Sequence, residues 1–247
     1  MQFFRPLEMV KAMTFDLDDT LYNNEPIIRH AERVLQAYLE SHHSDAAKLT
    51  QKQWWELKRA AISRDPRLAS DMGQLRRVVL TAALSGTPAN SLSITPSPDN
   101  ALNQAVNKCF DCFYDARSDF KLDPIFHETL QKVSTHIPLI GITNGNVNAD
   151  KIGINGYFET ILHASVSRPM KPAKDMFDEA ANILEIKPKH ILHVGDNLIK
   201  DVYGAINAGY QAAWFACNRP MRLSHERVFV LPHVKLTTID ELTVFVS

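Results

Sequence analysis

A single apolar run, residues 12–17 (AMTFDL), reads as a buried strand and is followed by a long stretch of quite different character. From about residue 25 to residue 114, apolar side chains recur three and four apart, as in Ile28, Ala31, Val34, Leu35 and Leu39. That is the spacing of a helix face. Proline, glycine and serine punctuate the stretch at 63–66, 85–88 and 95–98, which predicts four or five helices. Past Asp119 strand and helix alternate. Residues 138–143, 160–164, 190–194 and 211–215 read as strands, 175–184 and 199–208 as helices, and 240–245 as a short closing helix. Such alternation predicts an α/β fold with a parallel sheet and crossover helices. The first strand belongs with the later ones, so the helical stretch is an insertion. It leaves the sheet at the carboxyl edge, where open α/β folds bind ligands, and would lie over that edge as a lid.

Composition narrows the partners. The chain has 247 residues, 45% hydrophobic and 22% charged, enough to bury a substantial core. A net charge of -1 gives no overall attraction for nucleic acid or an anionic membrane, and neither is expected as a partner. Residues 1–11 lack the apolar stretch of a signal peptide, and no segment is apolar for long enough to cross a bilayer. A cytoplasmic location is the expectation. Cys109 and Cys112 form a C-x-x-C, but they lie in a helix-patterned stretch with no second pair to complete a tetrahedral metal site. They read as cysteines of a buried helix face.

The candidate chemistry lies at the strand ends. In Asp16-Leu17-Asp18-Asp19-Thr20 two carboxylates stand one residue apart, so along an extended chain they share a face. Held together they need a cation or a shared proton. With a divalent metal, one could attack as a nucleophile while the other shuttles protons. The strand at 138–143 runs into Thr143-Asn144-Gly145-Asn146, whose hydroxyl and backbone amides suit an oxyanion or phosphate. Lys171 lies between Pro169-Met170 and Pro172, on a stiff backbone that can aim an ammonium at an anion. The strand at 190–194 ends in Gly195-Asp196, where Asp196 could reach the same metal, and Asp201 could orient the ligands from behind. Together these groups suit phosphoryl transfer.

The set Asp16-Leu17-Asp18-Asp19-Thr20, Thr143-Asn144, Lys171 and Gly195-Asp196 with Asp201 resembles the four motifs of the haloacid dehalogenase-like hydrolase superfamily. The resemblance implies a Rossmann-like catalytic core over residues 1–21 and 117–247 and a helical cap over 22–116. It implies Asp16 as the nucleophile, forming an aspartyl-phosphate, and Asp18 as general acid and then base. Mg²⁺ would be held by the Asp16 carboxylate, the Asp18 backbone carbonyl and the Asp196 carboxylate. Thr143, the Asn144 amide and Lys171 would bind the phosphate of a small phosphorylated metabolite. An acid at position 18, absent from the dehalogenase members and replaced by threonine in the transporting ATPases, favours phosphatase chemistry. More narrowly, Phe4-Arg5-Pro6-Leu7, Leu21-Tyr22-Asn23 and the 143–146 loop resemble the YigB-type phosphatases. Those act on flavin mononucleotide and on 5-amino-6-(5-phospho-D-ribitylamino)uracil in flavin metabolism.

Other readings of the same groups are a sugar phosphomutase and a metal- or phosphate-binding regulator without turnover. In the helical stretch, Trp54 and Trp55 read as packing residues, since adjacent helical side chains diverge. Arg76 and Arg77 read as solvated surface charge, and His193 as a residue within the sheet.

Overall fold

The computed structural model describes residues 1–87 and 99–246. The expected breaks at Pro88 and at 95–98 lie outside them.

A mostly parallel sheet of seven strands runs in the order β1 (Gln2–Phe3), β7 (Val234–Lys235), β6 (Gln211–Trp214), β5 (Ile191–Gly195), β2 (Ala12–Phe15), β3 (Leu139–Thr143), β4 (Thr160–His163). Only the β1–β7 pair is antiparallel. β2 is central, in register with β3 through Met13↔Leu139 and with β5 through Ala12↔Ile191. The chain proceeds from β2 to β3 and β4 on one side, then returns to β5 on the other. That reversal opens a crevice at the carboxyl end of β2.

Alternation along β2 feeds two cores. Met13 and Phe15 pack with Phe126, Leu130 and Val133 of α6 (Pro124–Ser134). Ala12, on the opposite face, packs with Met176 and Phe177 of α7 (Asp175–Leu184) and with Val202 and Ala205. The helix expected at 175–184 is α7 with the same bounds. The helix expected at 199–208 is different. It is a π-helical turn, Leu198–Tyr203, continued by α8 (Gly204–Asn207).

Between β2 and α6 lie α1 (Asn24–His42), α2 (Ser44–Ala47), α3 (Gln51–Arg64), α4 (Met72–Ser85) and α5 (Asn100–Arg117). Polar caps start them: Asn23 accepts from Glu25 N, and Thr50 forms a capping box with Gln53. These helices bury apolar clusters of their own, one around Leu35, Leu39, Leu80 and Phe113 and another around Leu68, Leu75 and Val79. Cys109 is buried and Cys112 half-buried in α5, and both thiols are free. No helix among the described residues is long and apolar enough to cross a membrane.

Candidate active site

Asp16 leaves β2 with its amide still bonded to Val194 O of β5 at 2.9 Å, so its carboxylate is delivered at the sheet edge on a fixed backbone. The chain then turns through Asp19, whose φ of 62° is a left-handed conformation uncommon outside glycine. Asn24 N donates to the Asp19 side chain at 2.9 Å and helps hold this turn.

Strand ends of β3 and β5 flank the acids. Thr143 closes β3, and its hydroxyl accepts from Gly145 N at 2.9 Å. The Asn144 side chain donates to Lys171 O at 3.1 Å and accepts from Lys171 N at 2.8 Å, a reciprocal pair that pins the two loops together. The buried Lys171 ammonium lies 2.7 Å from Asp16 Oδ1, 2.7 Å from Asp201 Oδ1 and 2.6 Å from Ile142 O. Its three donors are therefore matched by three protein acceptors. On Asp201, Oδ2 accepts from Asn197 N at 2.9 Å, and Oδ1 lies 3.3 Å from His193 Nε2.

Oxygen atoms of Asp16, Asp196 and Asp201 come within 4.8 Å of one another. Two cations face these three carboxylates: Lys171, and Arg219, whose Nη1 is 2.8 Å from Asp196 Oδ2. The charge left over bears on the protonation of the three acids. Burial pushes Asp196 up to about 7, with repulsion from Asp201 adding to it and Arg219 opposing. Asp16 is raised well above the usual carboxylate range by burial and by its acidic neighbours, against the pull of Lys171. Burial acts upward on Asp201 as well, but Lys171 and the His193 hydrogen bond outweigh it and hold that group below the usual range. Buried, oxygen-only and one cation short, the cluster fits a hard divalent ion such as Mg²⁺.

Asp18 points elsewhere. Its Oδ1 accepts from Tyr22 Oη at 2.6 Å and from Arg117 Nη2 at 2.7 Å. Gly145 stands on the other side, where an added Cβ would collide with Asp18 Oδ2. The structure thus brings Asp16, Asp18, Thr143, Asn144, Lys171, Asp196 and Asp201 around one cavity of about 1160 Å³. Arg117 lines the same cavity and Arg219 holds Asp196, and neither arginine was singled out in the sequence. Their signal is a contact across the chain, 99 residues for Arg117 with Asp18 and 23 for Arg219 with Asp196, which no short motif carries.

Two expectations for the helical stretch are corrected. Trp54 is packed as expected, but Trp55 is exposed, with the Arg59 guanidinium 5.0 Å from its ring centroid. Both border the cavity. Neither Arg76 nor Arg77 is simply solvated: their guanidinium carbons lie 3.4 Å and 3.7 Å from the ring centroids of Phe113 and Phe110. Stacking on an aromatic face and pairing with Glu32 or Asn107 hold them.

A sheet edge carrying a buried acidic cluster, a lysine across from it and a helical insertion above defines a class of α/β hydrolase. The model of the haloacid dehalogenase-like hydrolases matches residues 10–209, and the chain belongs to that family. It is 32% identical over 248 residues to the 5-amino-6-(5-phospho-D-ribitylamino)uracil phosphatase YigB of Escherichia coli, covering 98% of this chain and 99% of that one. It is 27% identical over 213 residues to a glyceraldehyde 3-phosphate phosphatase of Methanopyrus kandleri, with 81% and 82% covered. Among solved structures, a 2-haloacid dehalogenase from Pseudomonas syringae pv. tomato matches with a TM-score of 0.85 at 27% identity, covering 96% of this chain and 98% of that one.

Proposed function

We propose that this hydrolase is a Mg²⁺-dependent phosphatase of small phosphate monoesters. The observation that carries the reading is the division of labour at the end of β2: Asp16 belongs to the cation-binding cluster, while the Asp18 carboxylate is held apart from it. In this reading Asp16 attacks phosphorus and the ester oxygen leaves, taking a proton from Asp18, so an aspartyl-phosphate and a free alcohol result. Water then attacks the same phosphorus as Asp18 takes its proton back, releasing phosphate and restoring Asp16. Mg²⁺, held by the Asp16 and Asp196 carboxylates and the Asp18 carbonyl, would neutralise charge on the phosphoryl oxygens. Lys171 keeps Asp16 and Asp201 neutralised at the edge of the phosphate site, Thr143 and the Asn144 amide supply neutral donors, and Asp201 fixes Lys171.

Residues 22–116 act as a cap over a core made of 1–21 and 117–247. The near full-length likeness to YigB supports 5-amino-6-(5-phospho-D-ribitylamino)uracil as the substrate; flavin mononucleotide is the second candidate, and the cytoplasm is the location expected from the sequence. The cavity of about 1160 Å³ leaves room for a large leaving group beside the acids, since small-molecule sites usually span ~300–1,000 Å³. The likeness to a dehalogenase is structural as well as sequential, so substrate chemistry must be tested directly.

Asp16→Asn should reduce hydrolysis of p-nitrophenyl phosphate to background while circular dichroism stays that of the parent. A variant turning over at the parent rate would remove Asp16 from the mechanism. A screen of phosphorylated metabolites and 2-haloacids, scored by kcat/KM, tests the substrate; a preference for haloacids or sugar phosphates would overturn the flavin-pathway assignment.

A further inference from the structure

Among the described residues two cationic side chains are buried, Lys171 and Arg117, and both border the cavity. They differ in what they have left to give. The lysine donors are matched within the protein. Arg117, the last residue of α5, gives Nη2 to Asp18 Oδ1, but its Nη1 is buried and has no hydrogen-bond partner. Buried donors are almost always satisfied, and a guanidinium presents its donors in a planar fork that matches phosphate oxygens.

Asp18 is fixed on one side only. Tyr22 and Arg117 both bond Oδ1, leaving Oδ2 on the side of Gly145 and the cavity. These two donors stand at opposite ends of the helical insertion, where it leaves and rejoins the sheet. The orientation of Asp18 is thereby tied to how the insertion is seated.

We propose that Arg117 is a binding and positioning residue: Nη2 holds the Asp18 carboxylate in line for proton transfer, and Nη1 takes an oxygen of the bound phosphate monoester. This rests on the phosphatase reading. One side chain then registers the substrate phosphate against the acid that serves its leaving group, a demand of geometry that separate residues would meet less rigidly.

The test uses the full chain with Mg²⁺, p-nitrophenyl phosphate as substrate and inorganic phosphate as the bound probe. Arg117→Ala should fold, lose about 10²-fold in kcat/KM, and bind inorganic phosphate about tenfold more weakly by calorimetry. Added guanidinium, at concentrations too low to unfold the protein, should restore part of the lost rate. A folded Arg117→Ala with parental kcat/KM and phosphate affinity would overturn the proposal. So would a loss of rate with phosphate affinity unchanged and no recovery in guanidinium, the result of a purely structural role. Should Arg117→Ala not fold, Arg117→Lys decides, because it keeps the charge against Asp18 but not the second prong: weakened phosphate binding is expected, and parental binding would overturn the proposal. Phosphate calorimetry reads Arg117 without turnover, whereas parental activity in Asp16→Asn would fail the phosphatase reading alone.

Discussion

His193 sits inside β5 with Nδ1 2.8 Å from Thr14 Oγ1 and Nε2 facing Asp201, linking the core of the sheet to the acidic cluster. Burial pushes its pKa down to about 4, against the hydrogen bond to Asp201. The imidazole is therefore neutral in the fold where an unfolded one would protonate below about 6.5. Between those values the unfolded chain binds the extra proton, so His193 lowers stability as pH falls through that window. Metal-free Asp16 and Asp196 work in the opposite sense, because their raised values let the fold hold protons that the unfolded chain releases. Comparison with His193→Gln isolates the histidine. From pH 7 to pH 5 the parent should lose about 2 kcal/mol more unfolding free energy than the variant, measured in urea; parallel losses would contradict a buried neutral imidazole. At this scale the residues that end strands were legible, because a carboxylate, hydroxyl or lysine at a strand exit announces itself locally. Arg117 was not, since its partner Asp18 is 99 residues away in sequence.

Elements with strong periodicity or sharp ends could be read directly, as α7 and the exits of β2, β3 and β5 demonstrate. β1 and β7 are two residues each, too short for alternation to register. The segment after β5 carried helical periodicity, yet local bonding widens it into a π turn. Asn197 accepts from Ile199 N and Lys200 N, and its own carbonyl takes the amides of both Asp201 and Val202. This wider turn brings Asp201 back over the end of β5. Gly195 makes room for it. Its φ is not left-handed, so the glycine serves close approach rather than a tight turn: an added Cβ would strike the Asp201 Cβ and carboxyl. Gly195→Ala should therefore lower stability by about 1–3 kcal/mol in urea and impair phosphatase activity together. Parental values in both would mean that Asp201 can move without consequence.

For the whole molecule, the sheet edge identifies the class of reaction and the helical insertion shapes the space beside it. The parallel architecture was legible because its strands are apolar, short and regularly interrupted. How the insertion lines the cavity was not legible, because adjacent helical residues can both border a cleft when one packs inward and the other stays exposed, as Trp54 and Trp55 do. Trp55 contributes little packing and offers an aromatic face. Trp55→Ala should raise KM for flavin mononucleotide about tenfold, within the ~1–3 kcal/mol of base–aromatic stacking, and leave p-nitrophenyl phosphate turnover near the parent value. Equal effects on both substrates would place the ring system elsewhere. The covalent step at Asp16 can be read on the protein itself. In Asp18→Asn, p-nitrophenolate can leave without a proton while the acyl-phosphate lacks its base, so rapid quenching should trap the intermediate. Borohydride reduction and peptide mapping should then find homoserine at position 16. Reduction or phosphate at any other residue, with wild-type turnover intact, would contradict the account.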